Sequence, residues 1–172
     1  EMYINFEIIV QEIEDPRTAG EVFPGAGFTV RSFPLYHTRN CVGYSLTEED
    51  RPGVFHPEKA VELGVPRGPM WSQLQQGNNV SLDGGAVVEP SQVMGERRRG
   101  RKFSYVTDSH RHRNIEREVS GSDLLICEGM FEKSLQETAR EKGHMTAYDA
   151  GKLARQAGGV KRMGLIHYSP RY

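Results

Sequence analysis

The chain has 172 residues, of which 37% are hydrophobic and 26% charged. That is enough for one ordinary domain and argues against wholesale disorder. No apolar run approaches the roughly 20 residues that a membrane span needs, and no charged-then-apolar leader opens the sequence. Two cysteines exclude a disulfide framework and point to a reducing, intracellular compartment, cytoplasmic or, in a eukaryote, nuclear or organellar. The net charge of −1 hides an asymmetry: residues 1–66 hold eleven Asp/Glu against five Lys/Arg, whereas 97–113 hold seven Lys/Arg against one Asp. Such a positive stripe reads either as a phosphate-steering patch or as a solvated basic loop.

In chain order, residues 1–45 read as strands. Ile4–Val10 and Gly27–Phe33 carry β-branched residues with partial alternation, separated by the turn pairs Asp15-Pro16 and Pro24-Gly25. Residues 46–102 are punctuated by Pro and Gly and read as an inserted arm rather than core, with one short helix at 57–63 and the only Trp in the segment 65–71. Residues 103–172 turn α/β: strands at 103–107, 123–127 and 161–167, helices at about 132–142 and 147–157, the second ended by Gly158-Gly159. The fold class is therefore α/β (α+β), a layered arrangement of strands and helices.

Several chemistry-bearing residues fall at strand ends, where layered α/β proteins place their sites. Asp108 follows the strand 103–107, Glu128 the strand 123–127 and His167 the strand 162–166, while His37 comes shortly after Phe33. An Asp and two His that meet in space form a nitrogen–oxygen donor set suited to zinc or manganese. Asp108 taken alone reads as a cap for a following helix more often than as a ligand. His144 directly precedes the helix 147–157. It reads either as a loop residue beside the N-cap Thr146 or as a proton donor or phosphate ligand at a helix N-terminus. His110 and His112 read as surface residues, and Cys41 and Cys127 as small buried hydrophobes.

Read together, these pieces resemble a family pattern. Pro34-Leu35-Tyr36-His37 followed by Val42-Gly43-Tyr44, the arm carrying Pro66-Arg67-Gly68-Pro69-Met70-Trp71, Thr107-Asp108-Ser109, Cys127-Glu128-Gly129-Met130-Phe131, Gly143-His144-Met145-Thr146 and His167-Tyr168-Ser169-Pro170-Arg171-Tyr172 stand in the order of the ribonuclease Z family. These are tRNA 3′-processing endoribonucleases with a metallo-β-lactamase-type αββα sandwich. The resemblance implies a zinc-dependent centre, two ions per complete site, with manganese or magnesium as alternatives, that activates water against a pre-tRNA phosphodiester. It makes His37, Asp108 and His167 metal ligands, and Glu128 and His144 a pair that protonates the leaving oxygen. It assigns Ser169 and Arg171 to the phosphate, and Gly68, Pro69, Arg97, Arg98 and Arg99 to a tRNA-binding exosite.

The family's His-x-His-x-Asp-His signature is absent from this sequence, and Cys127 and Met145 replace a His and a Ser of its shorter motifs. The resemblance thus implies the middle and C-terminal part of such an enzyme: a partial sandwich at 1–45 and 103–172, with the arm at 46–102. A partial sandwich exposes a sheet face or edge, so a homodimer or a complex with a chain supplying the missing half is expected. Two other readings stand beside the nuclease: a non-catalytic tRNA-binding remnant, and a hydrolase of another phosphodiester on the same fold.

Overall fold

The computed structural model describes residues 7–170. The chain divides into two compact units, one running to Glu48 and resuming at Arg101, the other Glu49–Gly100.

The first unit is built on a six-stranded sheet. Its strands are β1 (Gly20–Gly25), β2 (Phe28–Tyr36), β3 (Asn40–Glu48), then β6 (Lys102–Val106), β7 (Leu124–Glu128) and β8 (Met163–Ile166), adjacent in that order. The first three form a meander. Gly25 pairs with Phe28 across a two-residue turn in which Gly27 takes φ +80°, the left-handed region open to glycine. Pro34 interrupts β2 harmlessly, because β1 pairs β2 only as far as Ser32 and leaves Pro34 on an edge.

β3 pairs antiparallel with β6, and β6, β7 and β8 are mutually parallel. Parallel neighbours need crossovers. β6 reaches β7 through α4 (Arg113–Val119), and β7 reaches β8 through a 3₁₀ turn (Lys133–Leu135), α5 (Gln136–Glu141) and α6 (Ala147–Ala157). α6 starts at Thr146, whose hydroxyl accepts from the Asp149 amide, and stops at Gly158 with φ +70°.

Period-two alternation sorts the sheet into two faces. Phe33, Leu35, Val106, Leu125 and Cys127 point to one side and pack against Ile115 and Val119 of α4 and Ala150 and Leu153 of α6, all buried. The registers place Tyr44 beside Tyr105 and Leu46 beside Phe103 on the other side. There Tyr44, Phe103 and Tyr105 remain more than a third exposed.

The second unit contains α1 (Pro57–Glu62), α2 (Pro69–Gln75), the small hairpin β4–β5 (Val80–Ser81 and Val87–Val88) and α3 (Pro90–Val93). Each helix opens on proline, whose missing amide proton costs nothing at a first turn. Ala60, Val65, Leu74, Val80, Val88 and Val93 form a core of its own, flanked by Phe55, Met70, Trp71, Leu82 and Met94. The Trp71 indole donates to the Val65 carbonyl at 3.2 Å.

Two sequence expectations are corrected. Of the strand expected at Ile4–Val10, residues 4–6 lie outside the described residues, and Glu7–Val10 are irregular and exposed. Among the described residues no strand pairs with them. The stretch around Trp71, left without an assigned element in the sequence reading, is helical, with Pro69 at the first turn of α2. The basic run does not continue as loop past His112, for α4 begins at Arg113 and is capped by His112 rather than by Asp108.

Candidate metal and general-acid site

Topology brings the candidate residues together before any side chain is considered. β2 runs antiparallel to β3 and β3 antiparallel to β6, so β2, β6, β7 and β8 all point the same way. Their C-terminal ends share one edge of the sheet. His37, Asp108, Glu128 and His167 sit at those ends, and His144 lies in the turn that feeds α6 back from the same edge.

The side chains form a linked set. His167 Nδ1 lies 3.0 Å from Asp108 Oδ1. His144 Nδ1 lies 3.1 Å from Glu128 Oε1, and its ring stands 4.9 Å from that of His37 and 5.3 Å from that of His167. Donor atoms of His37, Asp108 and His144 lie within 4.8 Å of one another, as do those of Glu128, His144 and His167. His144 is thus common to both groups, whereas His37 and His167 enter neither together. His37 is oriented by its Nδ1, 3.0 Å from the Gly143 carbonyl. His167 takes φ +62°, the one described non-glycine residue in the left-handed region; such strain is held in place only by its surroundings.

Glu128 is fully buried. Its carboxylate accepts from the Ser109 amide at 2.5 Å and from the Met145 amide, besides facing His144. Burial pushes its pKa up to about 7, against the downward pull of those two amides and of His167; the Asp108 charge adds to the rise. Burial likewise holds the His144 imidazole below its usual range, with the charges of His37 and Lys142 acting the same way and Asp108 opposing them. Both shifts favour the neutral pair. A carboxyl and an imidazole poised near neutrality can hold one proton between them and pass it on.

The metal fit is partial. Imidazoles and a carboxylate form the donor set zinc or manganese takes. The two groups draw on five residues in all, His37, Asp108, Glu128, His144 and His167, and share His144. They are too few, among the described residues, for two four-coordinate ions.

The remaining expected residues are placed as follows. Ser169 is buried, with its amide on the Met130 carbonyl at 3.2 Å; Arg171 lies outside the described residues. Gly68 caps α2 with φ +135° and Pro69 opens it. Arg97, Arg98 and Arg99 are exposed, and Arg98 Nε donates to the Pro52 carbonyl at 3.0 Å. These five belong to the second unit.

Sequence reading gave no role to Ser109, which donates its hydroxyl to the His110 carbonyl and receives the Tyr36 amide, tying β2 to the Asp108 loop. It also took His110 and His112 for surface residues. His112 instead caps α4 and stacks on Tyr36 at 3.8 Å between centroids, and the His110 amide donates to the Tyr36 carbonyl. The alternation of Arg and His in this run carries no signal for such a contact.

No family model matches the sequence. The chain is 52% identical, over all 172 residues, to a protein of Treponema denticola named ribonuclease Z, and it covers 54% of that protein. Among solved structures, human tRNase Z, short form, superposes with a TM-score of 0.54 at 21% identity, over 91% of this chain and 42% of that one. A long-form RNase Z from yeast gives 0.52 at 18% identity, over 84% and 13%. The chain thus has the fold seen in the matching part of these enzymes, and along its whole length it is similar to ribonuclease Z, spanning about half the length of the curated relatives it matches.

Proposed function

We propose that the chain forms part of a metal-dependent endoribonuclease that removes 3′ trailers from pre-tRNA. The observation that supports this best is the convergence of His37, Asp108, Glu128, His144 and His167 on one sheet edge, with His144 held by a buried carboxylate. His37, Asp108 and His167 would hold zinc, manganese or magnesium, which when bound supplies Lewis acidity and a water of lowered pKa. The His144 side chain, with Nδ1 turned to Glu128, presents Nε2 to the substrate and delivers a proton to the departing 3′ oxygen, while Glu128 fixes the ring and its tautomer. Ser169 and Arg171 serve the scissile phosphate. Gly68, Pro69 and Arg97–Arg99 serve as an exosite for folded tRNA, by shape and backbone charge. A homodimer, or a complex with a chain supplying further ligands, fits the exposed ring row of Tyr44, Phe103 and Tyr105. No helix among the described residues is long and apolar enough to cross a membrane, and an intracellular setting fits the two free cysteines.

The small number of ligands favours a second reading, a tRNA-binding relative that hydrolyses nothing. Elemental analysis after chelation and zinc reloading, alongside a trailer-cleavage assay, separates the two. About two tightly held ions per chain with cleavage support the nuclease. At most one weak ion, with salt-sensitive tRNA binding and no cleavage, supports the second reading. Loss of tRNA binding altogether rejects both and leaves a hydrolase of another phosphodiester.

A further inference from the structure

Three lysines stand on aromatic rings instead of on carboxylates. The Lys133 and Lys152 ammoniums lie 4.5 Å and 4.7 Å from the centre of the Tyr148 ring, and that of Lys142 lies 6.0 Å from the centre of the Phe131 ring. Exposed Glu132, Glu137 and Glu141 belong to the same segments, yet no described carboxylate forms an ion pair with any of the three lysines. A ring attracts a cation through its quadrupole without neutralising it. Each ammonium is therefore placed while its full charge stays available to a further partner. Lys133, Lys142 and Tyr148 are exposed and Lys152 is half-buried, so that partner can come from solvent.

All five residues belong to the first unit. Lys133 opens the 3₁₀ turn that follows β7, and Tyr148 and Lys152 stand about one turn apart at the start of α6. Phe131, the ring beneath Lys142, lies 6.2 Å from the His144 ring, and the Lys142 charge acts on His144. The lysines thus extend positive charge outward from His144 along the helical segments, outside the set formed by His37, Asp108 and His167. Ammoniums placed on two separate rings call for a ligand with several negative charges along its length. An RNA backbone, with one phosphate per nucleotide, is such a ligand. Its direction follows from the chemistry: the 3′ oxygen that receives the His144 proton stays on the RNA upstream of the cut, so the backbone beside His144 is that upstream segment.

Resting on the endoribonuclease reading above, we propose that Lys133, Lys142 and Lys152, held by Phe131 and Tyr148, form a contact surface for backbone phosphates of the RNA strand upstream of the cut. The contact is made by charge and placement and carries no base preference.

The test uses the full chain in chelator, so that nothing is cut. The probe is an RNA hairpin with a single-stranded 3′ tail, its binding read by fluorescence anisotropy across a salt series. One arm compares the protein with Lys133→Ala/Lys152→Ala and with Tyr148→Leu. The other keeps the protein unaltered and replaces the phosphates of the hairpin's 3′ strand one at a time by neutral methylphosphonates, on both sides of the junction of stem and tail. Its result does not depend on how any variant folds. Expected from the double lysine variant is a roughly tenfold loss, with the slope of log affinity against log salt falling by about 0.7–0.9 for each phosphate no longer neutralised. Tyr148→Leu should lose about threefold with an unchanged slope, because the charges remain but are no longer placed. A methylphosphonate on the stem side should weaken binding to the unaltered protein and add little to the lysine variant, because both report the same contact. A lysine variant that binds like the parent, a Tyr148→Leu variant without effect, methylphosphonate losses confined to the tail, or full additivity overturns the phosphate surface, while tight hairpin binding leaves the endoribonuclease reading standing. A hairpin that does not bind at all overturns that reading, and the surface with it.

Discussion

The Nδ1 atom of His144 lies 3.1 Å from Oε1 of Glu128, a carboxylate with no exposed surface. The arrangement places a titratable ring between the interior and the sheet edge, anchored from the inside. Glu128 also closes the amides of Ser109 and Met145, which join the loops after β6 and before α6. One side chain therefore holds three segments of the site.

Glu128→Ala is expected to leave those donors without an acceptor in a buried place, at a cost of about 2–4 kcal/mol. Glu128→Gln keeps one carbonyl oxygen and the shape, and should cost about 1 kcal/mol. Urea denaturation of both variants checks the order. A Gln variant as unstable as the Ala variant would show that the charge, rather than the acceptor geometry, holds these loops.

Gly143 sets the position of His37. Its φ is +74°, and a Cβ at this position would stand 2.8 Å from His37 Nδ1 and 3.2 Å from His37 Cα. Gly143→Ala combines backbone strain with a push against the β2–β3 turn, so a loss of about 1–3 kcal/mol is expected. The His37 imidazole resonance should move as well. Thermal denaturation and an imidazole NMR spectrum measure the two effects separately; an unshifted His37 would mean that the turn yields instead.

The two thiols should behave differently. Cys127 is buried in the core, and burial, assisted by the Glu128 charge, pushes its pKa up to about 12. Its thiolate, the reactive form, is therefore negligible at pH 8. Cys41 is raised too, mainly by burial, yet it lies partly open. Ellman titration is expected to find at most one slowly reacting thiol per folded chain and both in guanidinium. Two fast thiols in the native protein would contradict the packing of β7 against α4 and α6.

The fold's outline was legible from the sequence wherever periodicity and punctuation agreed. β6, β7 and β8 show as short apolar runs ended by polar residues, and α6 as a segment bracketed by Thr146 and Gly158. The gathering of His37 with Asp108 was not legible from periodicity, because it depends on two antiparallel pairings that make β2 run with β6. Helix α4 starts at the last residue of the basic run and has only two apolar positions, Ile115 and Val119, to mark it. Tyr36 and His112 are 76 positions apart, and nothing local links them.

Leu74 offers a probe of the second unit. It is fully buried in a small core with Val65, Val80 and Val93. Leu74→Ala should cost about 2–5 kcal/mol there. Trp71, the only tryptophan, packs against the same core, so its fluorescence reports this loss directly. A transition in Trp71 emission below the one seen by far-ultraviolet dichroism is the expected outcome. A single coincident transition would mean that the two units unfold together.

The chain leaves the sheet at Glu48 and returns at Arg101, and these two residues are neighbours. The Glu48 amide donates to the Arg101 carbonyl at 2.9 Å, and the Arg101 Nε donates back to the Glu48 carboxylate at 2.9 Å. Everything from Glu49 to Gly100 is therefore a detour with a common entrance and exit, and β3 and β6 adjoin as they would across a tight hairpin. Natural exchange or laboratory grafting at this doorway could swap the accessory surface for another of different length without re-threading the sheet. The edge that gathers His37, Asp108 and His144 lies at the opposite end of those strands, so such recombination would leave the framework of that edge in place.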